Sequence, residues 1–155
     1  MKKFSLILLS LCLILALVGC GTQYEDTNGP DNFTLQTITD QNIINLDLGA
    51  SGLTYTESEL GDILSSSEYS AKNFNGVERI FQTNFLLPSD IEVYIGHMNV
   101  KSGNFKLVVI NNDTIIQEIP LDSFNETFRF ENLSGSFSVH AAGESAAFEF
   151  YMDVQ

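Results

Sequence analysis

The fold is decided by residues 126–154, ETFRFENLSGSFSVHAAGESAAFEFYMDV. Apolar and polar residues alternate there in three successive runs, and two triplets, Ser134-Gly135-Ser136 and Gly143-Glu144-Ser145, separate them. The runs cover residues 128–131, 137–141 and 148–153. Alternation with a period of two is typical of a strand that has one buried face, and serine and glycine favour turns. This stretch therefore predicts three short strands of an antiparallel sheet.

Similar patterns extend upstream. Residues 78–100 predict two strands joined by a short turn at Pro88-Ser89-Asp90. Residues 105–110 are apolar on both faces, with Phe105, Leu107 and Val109 opposite Val108 and Ile110, which is typical of a central strand. Asn111-Asn112-Asp113 then predicts a hairpin turn into a strand at residues 114–119.

The spacing of these strands predicts the fold class. Turn signals separate half-apolar strands about every 10 to 13 residues, which indicates a mainly β chain folded as an antiparallel β-sandwich of about seven or eight strands. A parallel sheet would need strands buried on both faces and helical crossovers, so it is disfavoured. Eleven of the 12 phenylalanines lie in residues 33–155, which we expect to form a single domain around an aromatic core.

The N-terminal part of this domain has mixed signals. Residues 33–39 are rich in β-branched and aromatic side chains, and residues 44–48 alternate, so both segments predict strand. Thr56-Glu57-Ser58-Glu59 has the spacing of a capping box, and apolar residues follow it at helical spacing as far as residue 64. We therefore expect one short helix at residues 56–64.

The first 20 residues, MKKFSLILLSLCLILALVGC, form a basic start followed by an apolar run. That run is shorter than the roughly 20 residues that a membrane-spanning helix needs, which favours a secretory signal over an anchor. Leu17-Val18-Gly19-Cys20 resembles the lipobox of bacterial lipoprotein signal peptides. The resemblance implies that residues 1–19 are cleaved off as a lipoprotein signal peptide and that lipid is attached to Cys20.

This organisation implies a location. Residues 20–32 combine the lipidated Cys20 with a polar, flexible tether, so the domain is expected to be extracytoplasmic and lipid-anchored to the bacterial cell membrane. Four short motifs in the second half resemble the β-sandwich domain of small, mostly uncharacterised lipoproteins of Gram-positive bacteria. They are residues 102–107, 111–113, 135–139 and 143–146. Because these motifs are turn and core positions, the resemblance implies a fold and no activity.

Charge and cysteine content exclude several function classes. The chain carries 7 basic and 20 acidic residues, and loss of Lys2 and Lys3 with the leader brings the balance to about −15. We therefore do not expect the chain to bind nucleic acid, because binding to the phosphate backbone needs a basic protein surface. Cys12 leaves with the leader and Cys20 carries lipid, so no thiol remains for a disulfide, a metal site or a cysteine nucleophile.

The remaining candidate chemistry is sparse. His97 and His140 lack metal-binding spacing, and His140 falls on the polar side of its strand beside Ser138, where we expect it to be solvated. Gly49-Ala50-Ser51-Gly52 lacks the second glycine spacing of a nucleophile elbow. We therefore predict no catalytic residue, no cofactor and no metal site.

Exposed aromatic side chains remain as candidate ligand contacts. Tyr94 and Tyr151 are expected to face outward, where a sugar ring could stack on them. We expect a non-enzymatic binding or interaction module whose partner is an envelope protein or glycan. Two alternatives stay open: a carboxylate-dependent hydrolase of cell-envelope sugars or peptides, and a structural component that assembles through a sheet edge.

The lipid attachment leads to the first testable prediction. Metabolic labelling with palmitate should mark the wild-type chain and should not mark Cys20→Ser, because the thiol is the acceptor of the diacylglyceryl group. Cys12→Ser is the matched control, since that cysteine lies within the leader and should leave the labelling unchanged. Equal labelling of wild type and Cys20→Ser would contradict lipidation at this site.

Overall fold

The computed structural model describes residues 35–57 and 65–155, which are mainly β with one short helix. The elements are helix α1 (Asp40–Asn45) and strands β1 (Ser51–Glu57), β2 (Ser65–Asn111), β3 (Thr114–Ile119) and β4 (Phe124–Val154). The predicted signal peptide, the Cys20 lipidation site and the tether lie outside the described residues. The helix predicted at residues 56–64 is wrong at its start, because pairing with β2 places Thr56 and Glu57 in strand β1, and its remainder lies outside the described residues. Within residues 35–57 and 65–155, no helix is long and apolar enough to span a membrane.

All four strands join one antiparallel sheet, in which β2 pairs with β4 more than once. Residues 65–85 of β2 pair with residues 135–154 of β4, and residues 93–111 of β2 pair with that same stretch of β4. The C-terminal half of β4 is therefore central. β1 pairs with the start of β2 and β3 with its end, so both lie at margins of the sheet in the described part of the chain.

The two long strands are strongly bent. A straight strand of the 47 residues of β2 would be about 155 Å long at ~3.3 Å per residue, so the chain must bend to stay compact. Register shifts, such as the one between Phe85 and Ser89, provide these bends. Three predicted turns are bends inside β2 or β4, at residues 88–90, 134–136 and 143–145. The sequence predicts seven or eight strands, whereas the described residues form four longer ones.

An aromatic cluster forms the centre of the main core. The ring of Phe148 is 1% exposed, and its centroid lies 4.2 Å from that of Phe105, 5.6 Å from that of Phe74 and 5.7 Å from that of Phe150. These residues come from β2 and from the central half of β4. Burial of rings of this size is the largest apolar contribution that single side chains make to folding.

A second, smaller apolar cluster lies under α1. Val108 and Ile110 belong to it, whereas Leu107 and Val109 belong to the main core, so the predicted two-sided central strand is confirmed. The buried members of the smaller cluster are Ile38, Ile43, Val77, Val108, Ile110 and Ala142. The sheet is thus covered on both faces where α1 packs against it.

The helix occupies a segment for which the sequence predicts strand. Residues 35–48 contain α1 and no strand, so the strands predicted at 33–39 and 44–48 are wrong where the chain is described. Thr39 caps the helix: its Oγ1 accepts a hydrogen bond from the backbone N–H of Asn42 at 3.3 Å, and Asn42 Oδ1 accepts one from the Thr39 N–H at 3.0 Å. These capping interactions stabilise a helix in a segment whose alternation of apolar and polar residues favours a strand.

One carboxylate attaches the segment before α1 to the sheet. Glu144 of β4 accepts hydrogen bonds from the backbone N–H groups of Gln36, Thr37 and Ile38 at 2.7, 2.6 and 2.9 Å. The Asn104 side chain donates another at 3.2 Å. Desolvation by burial would raise the pKa of Glu144, but the hydrogen bonds to its charged form prevail and lower that pKa to about 2.

The aromatic core gives a stability prediction. Phe148→Ala should lower the free energy of unfolding by about 3–5 kcal/mol, because it removes a fully buried ring and leaves a cavity. Phe124→Ala is the matched control, since its ring is 70% exposed and the change should stay within about 0.5 kcal/mol. Urea denaturation followed by circular dichroism measures both values. Equal effects of the two substitutions would contradict the described core.

The Glu144 contacts give a pH-dependent prediction. The folded-state pKa is depressed, so their contribution is complete above about pH 4.5 and is lost as the pH falls toward about 2. Glu144→Gln should therefore lower stability by about 2 kcal/mol at pH 7 and by progressively less from pH 4.5 to pH 3. Glu131→Gln, which removes an exposed carboxylate without a hydrogen bond or ion pair to described residues, is the control. A pH-independent difference between wild type and Glu144→Gln would contradict this assignment.

Candidate functional site

A cavity of about 340 Å³ lies between β1 and the stretch of β2 at residues 78–80. We call it the edge cavity because β1 is a margin of the sheet among the described residues. Its lining consists of Ala50, Ser51, Gly52, Leu53, Tyr55, Tyr69, Glu78, Arg79 and Ile80. The volume falls at the lower end of the range typical of small-molecule sites, and the lining combines aromatic, charged and backbone groups.

The chain before β1 fixes the position of this strand. The backbone N–H of Val77 donates a hydrogen bond to the carbonyl oxygen of Leu48 at 3.2 Å, which joins the segment before β1 to β2. The approach is close because Gly76, with φ of +101°, has no side chain: a Cβ there would overlap the Gly49 carbonyl oxygen. Two sets of contacts therefore fix the position of β1: the hydrogen bond between Val77 and Leu48, and the pairing of β1 itself with β2.

Two tyrosines form one wall of the edge cavity. Tyr69 is 3% exposed, its ring stacks on Phe150 at a centroid distance of 4.9 Å, and its hydroxyl donates to the Ile80 carbonyl oxygen at 3.3 Å. Tyr55 lies 6.1 Å from Tyr69, ring centroid to ring centroid, and is 58% exposed. The wall thus has a rigid inner ring, fixed by the core, and an outer ring that is accessible to a ligand.

Arg79 is the cationic group of the edge cavity, and it forms no ion pair with any described residue. Lys101, Lys106 and Arg129 do have carboxylate partners, at 2.7, 2.9 and 3.1 Å. Lys72 is exposed, lies outside the cavity lining and likewise has no such partner in the described part of the chain. Arg79 pairs with His140 in the sheet, so its side chain lies on the α1 face, opposite to the face that carries Tyr55 and Tyr69.

The structure brings the two sequence-predicted tyrosines together, away from the lining of the edge cavity. The rings of Tyr94 and Tyr151 meet edge to face, 6.3 Å apart and at 74°. The Tyr94 hydroxyl donates to Asn125 Oδ1 at 2.7 Å, and the Tyr151 and Ser66 hydroxyls share a hydrogen bond of 2.8 Å. Both rings are half-buried and both hydroxyls are engaged within the protein, and their role as ligand contacts stays a prediction.

The histidines do not assemble a catalytic or metal site with other described groups. His97 Nε2 lies 4.0 Å from Glu68 Oε1, and the described residues contain no cluster of three or more histidines, cysteines or acids that suits a metal ion. Ser51 borders the edge cavity, but no histidine is among the lining residues, so the hydroxyl has no imidazole base there.

His140 differs from the sequence-based expectation. It is 3% exposed because α1 covers the face on which the sequence predicts a solvated histidine. Its Nδ1 donates to the Ile43 carbonyl oxygen at 2.8 Å, near the C-terminal end of α1. Burial lowers the pKa of His140 and the Arg79 charge lowers it further, against the opposing effect of the Ile43 hydrogen bond. The group is thus a neutral structural cap.

The sequence analysis singles out neither Tyr55 nor Arg79. The alternation of Leu53 and Tyr55 with threonines is a strand signal, but it does not say that the strand is marginal. That position follows from pairing between residues far apart in the chain, and so does the presence of Arg79 among the residues that line the cavity.

Comparisons with known proteins add little to this site. No protein-family model matches the chain, and no curated protein matches it. A solved structure of a cupin superfamily protein from Desulfitobacterium hafniense is similar, with a TM-score of 0.35 and 11% sequence identity, over 79% of this chain and 94% of that chain. The similarity concerns the β fold and carries no information about the chemistry of the edge cavity.

Proposed function

We propose that this chain is a non-enzymatic binding module that is lipid-anchored to the outer face of a bacterial cell membrane and takes its ligand in the edge cavity. The observation that carries the proposal is the accessible Tyr55 ring, which borders the same concave site as the Glu78 carboxylate. Convergent aromatic and charged groups around a cavity are the usual anatomy of a small-ligand site.

The anchor belongs to the same proposal. Lipid on Cys20 would hold the domain at the membrane, and a polar tether of twelve residues spans roughly 20 Å on average. The ligand would therefore be a molecule of the cell envelope, met within a short distance of the membrane. The negative charge of the chain supports this arrangement, because an anionic bilayer repels the domain and the lipid has to supply the attachment.

We also propose that the bent sheet is a two-layer β-sandwich. Buried residues from both ends of the sheet, including Tyr69, Leu107, Phe137 and Met152, belong to one continuous apolar cluster. A single cluster shared by the two arms of β2 is what two layers packed face to face would produce. The edge cavity would then lie where the two layers are open to solvent.

A carboxylate-dependent hydrolase is the second candidate, and it has less support. Glycosidases of the usual kind act through two carboxyl groups that flank the scissile bond. Among the described residues, Glu78 is the one carboxylate in the lining of the edge cavity. Binding without hydrolysis is therefore the function that this geometry favours.

Fluorine NMR can test the proposal with a mixture of candidate ligands. The chain has five tyrosines, so incorporation of 3-fluorotyrosine gives five resonances that Tyr→Phe variants assign one by one. Soluble fragments of cell-envelope glycan and peptide should shift the resonances of Tyr55 and Tyr69 and leave those of Tyr94 and Tyr151 in place. Shifts of only the latter pair would move the site to the outer tyrosines, and the absence of any shift would contradict a binding module of this kind.

A further inference from the structure

We propose that residues 35–47, which include α1, form a clasp that leaves the sheet when His140 takes up a proton. Release exposes the face of the sheet that α1 covers, and it adds these residues to the chain that leads toward Cys20. Mild acid would then increase the reach of the domain from the membrane. The release rests on the geometry around His140, whereas the change in reach also rests on the proposed lipid anchor.

The imidazole of His140 is enclosed between α1 and the sheet. It is 3% exposed, and its Nδ1 donates to the Ile43 carbonyl oxygen at 2.8 Å. Its Nε2 is then the unprotonated nitrogen of a neutral ring, and this atom is buried without a hydrogen-bond partner among the described residues. A proton at Nε2 would create a buried charge and a donor that has no acceptor. The closed clasp therefore accommodates the neutral ring and disfavours the charged one.

The charged neighbour of His140 on the same face also opposes protonation. Arg79 pairs with His140 across the sheet, so both side chains lie on the α1 face. Burial lowers the pKa of His140, the Ile43 hydrogen bond opposes this effect, and the Arg79 charge lowers the pKa further. In the described part of the chain, no carboxylate lies within ion-pair distance of the imidazole. Once the clasp opens, water can stabilise the imidazolium.

The other ionisable groups around the clasp do not offset this effect. Lys106 of β2 lies 2.9 Å from the carboxylate of Asp40 in α1 and 3.0 Å from that of Glu118 in β3. Asp47 accepts a hydrogen bond from a side chain of the clasp itself. Glu144, which binds the backbone before α1, has a pKa of about 2. It therefore stays ionised in mild acid, and its contacts hold the clasp equally at pH 7.5 and pH 5.5.

The clasp can open while the main core stays intact. Its buried side chains, Ile38 and Ile43, belong to the smaller apolar cluster, and no described residue of the clasp belongs to the main core. A six-residue helix is not stable alone, and two buried isoleucines add a small contact, so this segment opens at a lower free-energy cost than the core. The hydrogen bond between Leu48 and Val77 marks the end of the movable segment.

Opening of the clasp would change the distance between the domain and its anchor. Residues 21–32 span roughly 20 Å on average as a random coil, and residues 21–47 would span roughly 30 Å. The added length equals about half of the original reach. A domain held close to the membrane near neutral pH would thus move outward in mild acid, with its edge cavity.

The direction of the pH effect follows from the two states of His140. In the open state the exposed ring has the ordinary pKa of about 6.5, and in the closed state the pKa is lower. The open state therefore binds the proton more tightly, and the closed state loses stability as the pH falls through about 6.5. Between pH 7.5 and pH 5.5 the equilibrium constant for closing should fall more than twofold and at most about tenfold.

Amide hydrogen exchange of the full-length chain in neutral detergent micelles measures this constant as a protection factor. Peptides that cover residues 40–47 report on the clasp, because Ile43 N–H donates to Thr39 and Asp47 N–H to Asn42. Peptides that cover residues 148–154 report on the core. We expect the protection of the clasp to decrease from pH 7.5 to pH 5.5 and to be lower than that of the core at both. Equal protection of the two segments would mean that the clasp opens only when the whole domain unfolds, which would overturn the proposal.

Variants assign the effect to its residues. His140→Gln keeps an amide donor and removes the titratable ring, so the protection of the clasp should be the same at both pH values within about twofold. His97→Gln is the matched control, because His97 pairs with Tyr151 near the end of β4, and it should retain the wild-type decrease. Glu144→Gln should lower the protection by the same factor at both pH values. Arg79→Gln removes the repelling charge from an exposed position, so the decrease should become smaller.

The outcomes distinguish the parts of the proposal. Wild-type protection that is equal at pH 7.5 and pH 5.5, or a decrease that persists undiminished in His140→Gln, would overturn the role of His140. Should His140→Gln fail to fold, an undiminished decrease in Arg79→Gln has the same consequence. If the clasp opens in acid but Cys20 carries no lipid, the release stands and the change in reach is wrong. The Tyr55 fluorine resonance tests the binding module independently of all these results.

Discussion

The double pairing of β4 is the constraint on which the rest of the structure depends. Its residues 137–154 hydrogen-bond to two separate arms of β2, so this stretch has no free edge over most of its length. The side chains that alternate along it, with Phe148 and Phe150 in the centre, then have to be buried on the inner face. Backbone pairing and aromatic burial therefore specify the same register, since a slip by one residue would expose every ring.

That arrangement also explains why polar groups hold the N-terminal segment. The outer face of the central strands carries Val108 and Ile110, which need a cover, and α1 alone is six residues long. A helix this short is not stable in isolation. Glu144 binds three backbone N–H groups before α1, and His140 binds the Ile43 carbonyl oxygen near its end. Directed hydrogen bonds at both ends thus supplement a small apolar contact.

The sequence predicts those parts of the fold that depend on neighbours in the chain. The hairpin at 111–113 is confirmed, and its Asn112 and Asp113 adopt φ of 46° and 59°, as such a turn requires. The bends at 134–136 and 143–145 have the same local composition as turns, yet pairing with β2 keeps them in β4. His140 and the edge cavity are beyond local reasoning for the same reason, because the cover on one and the open margin at the other come from distant residues.

For a ligand in the edge cavity, the net charge of the chain matters less than the charged groups close to the cavity. A formal net charge of −13 opposes the approach of any anion, but at physiological ionic strength exposed charges more than about 8–10 Å apart are largely screened. The groups within that distance of a ligand then dominate, and in the lining these are Arg79 and Glu78. The overall charge therefore acts mainly on large surfaces, where it disfavours nonspecific contact of the domain with an anionic membrane.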